Sequence, residues 1–185
     1  MTYRPLTRCR RALVIVGLVA ALVSACGRGA AAPQGADDSL GLLIIAPEER
    51  AAMAEIAGDS LTGGSISLAD YQGQLVVLNA FASWCTPCQQ ELPVLAVGEE
   101  KYPQVQFVGL DVQDNDEAAL GFLAAKDATY PVIKDPAGEL LAKFTINPAN
   151  GLPVTFFIDE QGKVAGRILG KVTAASLAAA IKSLT

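Results

Sequence analysis

Residues 75–88 read LVVLNAFASWCTPC. The first seven, Leu75 to Phe81, are apolar and rich in β-formers, broken only by Asn79. Such a run fits a central strand buried on both faces. The helix predicted next covers 86–102, with Pro87 in its first turn, where proline is tolerated. Pro93 lies inside it and predicts a kink. The pair Cys85 and Cys88, separated by Thr86 and Pro87, therefore sits at a strand-to-helix junction. Three chemistries use two cysteines at this spacing: half a zinc site, a structural staple, or a redox dithiol.

The rest of the composition weighs these against one another. The chain has four cysteines (Cys9, Cys26, Cys85 and Cys88) and no histidine. Structural zinc wants four ligands, and the region around the pair supplies two. A disulfide closing so short a loop constrains the unfolded chain little. The redox reading uses the placement directly. Backbone N–H groups at a helix start favour a thiolate. Cys85 is then the more exposed, attacking sulfur, and Cys88, one turn later and more buried, resolves the mixed disulfide. Trp84 shields the sulfurs.

Composition bounds the remainder. A chain of 185 residues, 51% hydrophobic and 18% charged, holds one packed domain and a short extension. The net charge of −5 gives no basic footprint for nucleic acid. Arg4, Arg8, Arg10 and Arg11 precede an apolar run from Ala12 to Ala25, too short for an ordinary span and patterned as an export signal. Its end, LVSAC (Leu22 to Cys26), resembles the lipobox of bacterial lipoproteins. That resemblance implies cleavage before Cys26 and lipid on its sulfur. Removing 1–25 takes four arginines and no acid, leaving a net charge of −9. The expected organisation is a signal peptide (1–25), a lipidated cysteine with flexible tether and N-terminal extension (26–56), and a folded domain (57–185).

Other segments fill in an α/β pattern. Residues 40–45 suit a short edge strand, and Pro47 opens a helical turn. Gly63-Gly64 marks a hairpin, and Gly73 ends a short turn or helix. Strands are predicted at 105–112, 153–159 and 163–169, the last two forming an antiparallel hairpin. Helices are predicted at 115–128, capped by Asn115, at 138–144, and at 173–184, capped by Thr173. The order points to an α/β sandwich around a mixed sheet.

Several stretches in order, SLADYQGQLVVLN, WCTPCQQELP, FVGLDVQDND, YPVIKDPAGELLAKF and LPVTFFIDEQGKV, resemble the thioredoxin superfamily. Within it they are most similar to the TlpA/ResA/DsbE-like thiol–disulfide oxidoreductases of bacterial envelopes. The resemblance implies a thioredoxin-like fold: a central mixed β-sheet flanked by helices, a helix-bearing insert between Phe107 and Phe144, and an N-terminal β-hairpin. It implies that Pro153 is the family's cis-proline facing the dithiol, with the backbone of Leu152 free to pair with a client. Val154 stands where the family usually has threonine. Asn79 stands where plain thioredoxins have a proton-transferring aspartate, and Glu91 matches a glutamate of ResA-like proteins that tunes thiol protonation. Peroxiredoxins share the fold, but their threonine and proline positions hold Ala82 and Leu78 here.

No cofactor is expected beyond the Cys85–Cys88 disulfide itself, and no metal. The implied partners are client thiols and disulfides, apocytochrome c among them, a CcdA/DsbD-like membrane electron donor, and the membrane through Cys26. A monomer on the outer face of the bacterial cell membrane is expected. Two directions of flow stay open: a reductant for cytochrome c maturation, or an oxidase or isomerase acting on exported proteins. A redox-inert binding module is the remote third reading. The Thr86-Pro87 dipeptide does not choose between the first two. The absence of histidine between the cysteines leans toward the reductant.

Overall fold

The computed structural model describes residues 41–147 and 151–185. The predicted signal peptide, Cys26 and the tether lie outside the described residues. Strand β4 (Leu75–Phe81) is buried along its whole length. It can be, because neighbours pair with it on both sides. Parallel β5 (Val105–Val112) lies on one side and antiparallel β7 (Val154–Ile158) on the other. β5 continues to parallel β6 (Val132–Asp135), and β7 to antiparallel β8 (Val164–Leu169). The outer edge of β8 is covered by β1 (Leu42–Ile44), so the sheet runs β1-β8-β7-β4-β5-β6. A separate hairpin, β2 (Ala57–Asp59) with β3 (Ser65–Ser67), turns through Gly63 and Gly64, both at positive φ.

Alternation along β4 sends Val77 and Phe81 to one face and Val76, Leu78 and Ala80 to the other. The first face receives helix α1 (Thr86–Lys101), which buries Cys88, Glu91, Leu92, Leu95 and Gly98. Those positions recur at three and four residues, one stripe of a helix. Helix α3 (Ala174–Leu184), closed at its start by a Thr173/Ser176 capping box, packs beside α1. Gly98 permits this approach: a Cβ there would lie 2.7 Å from the Leu177 side chain. The opposite face is filled by Ile56, Leu68, Leu141, Phe144 and Phe156, with the two phenylalanine rings stacked at 4.0 Å.

The structure departs from the sequence reading in places. β6 was not predicted; it is four residues long and ends in Lys134 and Asp135. Helix α2 (Asp116–Ala124) stops short of residue 128, because Asp127 takes a left-handed φ of 55° and the Ala128 N–H folds back onto the Leu123 carbonyl. The helix expected over 138–144 is reduced to one 3-10 turn, Leu141–Lys143. Gly138 at φ 73° starts it late, and the Asp135 carboxylate accepts the Leu140 and Leu141 N–H groups. Other expectations hold: Pro47 opens a 3-10 turn, Pro47–Glu49, helix α1 runs on through Pro93, and the edge strand expected in 40–45 is β1.

Candidate active site

The carboxyl ends of β4, β5 and β6 share one rim of the sheet with the start of β7 and the end of β8, as their registers require. β4 delivers Ala82, Ser83 and Trp84 to this rim. Cys85 then caps α1: its extended backbone ends the approach, and its sulfur accepts the Cys88 N–H at 3.3 Å. Cys85 and Cys88 form a disulfide, their Cα atoms 5.2 Å apart. Exposure is graded, 4% for Cys85 and 0% for Cys88. Thr86 and Pro87 face solvent. Trp84 is 60% exposed, and its indole N–H donates to the Gln113 carbonyl at 3.0 Å.

Pro153 precedes β7, whose Val154 pairs with Ala80 of β4, so it lies at the same rim. The Leu152–Pro153 bond is cis, Leu152 is half-buried, and the Pro153 carbonyl accepts the Gly170 N–H at 3.0 Å.

One turn along α1 from the second cysteine lies a buried polar network, in which the Asn79 Oδ1 alone lacks a partner. Glu91, one helical turn after Cys88, has no exposed surface. Asn79 reaches it from β4, its amide donating to Glu91 Oε1 at 2.8 Å and to Thr155 Oγ1 at 3.0 Å. The Val172 N–H, just before α3, donates to Glu91 Oε2 at 2.7 Å. Burial pushes the Glu91 carboxyl up to about 7; the Val172 and Asn79 hydrogen bonds and the Lys171 charge pull the other way. A carboxyl in this range can take up a proton and return it near neutral pH.

The family model described as AhpC/TSA matches residues 49–167. The chain belongs to the AhpC/TSA family. Among curated relatives of this AhpC/TSA member, the thiol–disulfide oxidoreductase ResA of Bacillus thuringiensis is 35% identical over 127 residues, covering 68% of this chain and 72% of that protein. ResA of Bacillus subtilis is 30% identical over 117 residues, 62% of this chain and 64% of the relative. Among solved structures, a DsbF homologue from Corynebacterium diphtheriae superposes with a TM-score of 0.73 at 36% identity, covering 83% of this chain and 97% of the other. A secreted thiol-disulfide isomerase from Corynebacterium glutamicum gives 0.72 at 29%, covering 81% and 95%. This family member is a thioredoxin-like thiol–disulfide oxidoreductase, and its redox group is a cysteine pair rather than a bound cofactor. Among the described residues, no group of three or more His, Cys, Asp or Glu side chains is placed to hold a metal.

The structure brings Trp84, Cys85, Cys88, Leu152 and Pro153 to one rim, with Asn79 and Glu91 behind them. Sequence reasoning missed Thr155 and Val172, which complete the Glu91 network, and Ser83, Gln113 and Asp114, which hold the approach to Cys85. Val172 acts through its backbone N–H, which leaves no mark in sequence. Among the described residues no helix is long and apolar enough to cross a membrane.

Proposed function

We propose that this oxidoreductase is a membrane-tethered dithiol reductant of the bacterial envelope, working on cytochrome c haem-binding cysteines. In this reading, reduced Cys85 attacks a client disulfide as the thiolate, forming a Cys85–client mixed disulfide and releasing one client sulfur. Cys88 gives its proton to the Glu91 carboxylate and attacks the Cys85 sulfur. The second client thiolate leaves, the client gains two electrons, and Cys85–Cys88 becomes the disulfide. Leu152 and Pro153 line the place where the client strand lies, and Trp84 covers the sulfurs. A CcdA/DsbD-like membrane protein returns the electrons, and lipid on Cys26 keeps the monomer at the outer face of the membrane.

The observation that carries the direction is the spacer between the cysteines, Thr86-Pro87, which brings no histidine or other cation to the dithiol. Strongly oxidising dithiols owe their potential to a stabilised thiolate of the attacking cysteine, and the Thr86-Pro87 spacer adds no cation to the helix start in stabilising that of Cys85. The expected reduction potential is near thioredoxin's, roughly −270 mV, rather than near DsbA's, about −120 mV. Equilibration of the full chain against a glutathione or dithiothreitol couple measures it. A value at the oxidising end overturns the reading. The curated ResA relatives are thiol–disulfide oxidoreductases, which supports dithiol exchange in either direction.

The second reading, an isomerase or oxidase for exported proteins, is favoured by the likeness to two solved structures, a DsbF homologue and a secreted thiol-disulfide isomerase. Trapping with Cys88→Ala separates the two. Apocytochrome partners caught on Cys85 support the first, and varied secreted proteins support the second. Loss of the protein from the membrane fraction in Cys26→Ala tests the anchor.

A further inference from the structure

What holds Ser83 and Trp84, the two residues before Cys85, comes from a distant part of the chain. The turn between β5 and α2 carries Gln113 at a left-handed φ of 52°, with its N–H donated to the Asp135 carbonyl at 3.0 Å. Its carbonyl takes the Trp84 indole N–H. The next residue, Asp114, binds Ser83 twice. One carboxylate oxygen accepts the Ser83 N–H, and the other accepts the Ser83 hydroxyl at 2.8 Å and the Asn115 N–H at 2.8 Å. The remaining backbone group of Ser83, its carbonyl, accepts from Gln89 Nε2 at 3.0 Å. Asp111, at the end of β5, is 3% exposed, and its Oδ1 has no hydrogen-bond partner among the described residues.

We propose that Asp114 is a positioning residue for the dithiol: it fixes Ser83, and its turn fixes Trp84. Asp114 touches neither sulfur. It acts by setting where Cys85 starts, and misplacing a reacting atom by about 1 Å costs up to roughly 100-fold in rate. The role holds whichever way electrons flow.

Trp84 is the sole tryptophan, so its emission reports the state of the turn. The test compares the full parent chain with its Asp114→Asn and Ser83→Ala variants. In the reduced protein Asp114→Asn slows reaction of Cys85 with DTNB by roughly tenfold between pH 5 and 9 and shifts Trp84 emission, and Ser83→Ala slows it roughly twofold to threefold. The proposal is overturned if Asp114→Asn exchanges at the parent rate with unshifted emission. Should Asp114→Asn fail to fold, Ser83→Ala decides alone, and a parent rate in that variant overturns the proposal.

Discussion

Two acids flank the dithiol, and burial raises both to about 7. Their surroundings are opposite. Every other influence on Glu91 pulls its value down: two N–H donors and the Lys171 charge. Every other influence on Asp111 pushes its value up: Asp114 and Asp116, both acids. One site is furnished to receive a negative charge, and the other is furnished to keep a proton. A shared value near 7 therefore describes two different devices. Glu91, behind Cys88, can trade a proton in each cycle, whereas Asp111, before Cys85, serves the structure while it stays neutral.

The contrast can be broken by experiment. The largest effect sets the baseline. Cys88→Ala should abolish turnover and accumulate mixed disulfides on Cys85, seen by non-reducing electrophoresis, because nothing remains to resolve them. Glu91→Gln should come next. The parent's exchange rate rises as pH passes about 7 and the carboxylate becomes available. The variant should lose that rise, by roughly 100-fold at pH 8 in stopped-flow exchange. If Asp111→Asn gives the same loss, the two acids are not different devices.

The third effect is on stability. The Asp111 carboxyl lies above its unfolded value, so its stabilisation is complete below about pH 4 and lost as pH rises through about 7. Asp111→Asn should flatten that slope and leave the protein more stable than the parent at pH 8 by roughly 2 kcal/mol, read by chemical denaturation. A variant that is less stable at pH 8 removes the proton-keeping assignment. The smallest effect belongs to Asn79→Ala. Losing its hydrogen bond raises Glu91 further, so the midpoint of the pH–rate profile should move up by less than about one unit.

The sheet's centre was legible because its strands are long and apolar: β4 stands out, and so does the β7–β8 hairpin with its Gly162 turn. β6 was not, since four residues ending in Lys134 and Asp135 carry no alternation to read. The dithiol was legible from the spacing of Cys85 and Cys88 and from elimination of zinc. Asn79, Glu91 and Pro153 were legible through the resemblance, because nothing in an isolated Glu or Asn announces burial. The partners of those residues were hidden for a physical reason. Val172 lies 81 residues from Glu91 and contributes a backbone N–H, which every residue but proline has. Asp114 lies 31 residues from Ser83, and only the parallel pairing of β4 with β5 brings them together.

β1 enters the sheet at the rim that bears the dithiol. The Gly41 carbonyl takes the Leu169 N–H, and the next residue, Gly170, holds the Pro153 carbonyl. The edge strand is thereby tied to the loop proposed to line the client. Unzipping β1 from β8 should free that loop and weaken client binding, while the Cys85–Cys88 junction, which hangs on β4 and α1, stays in place.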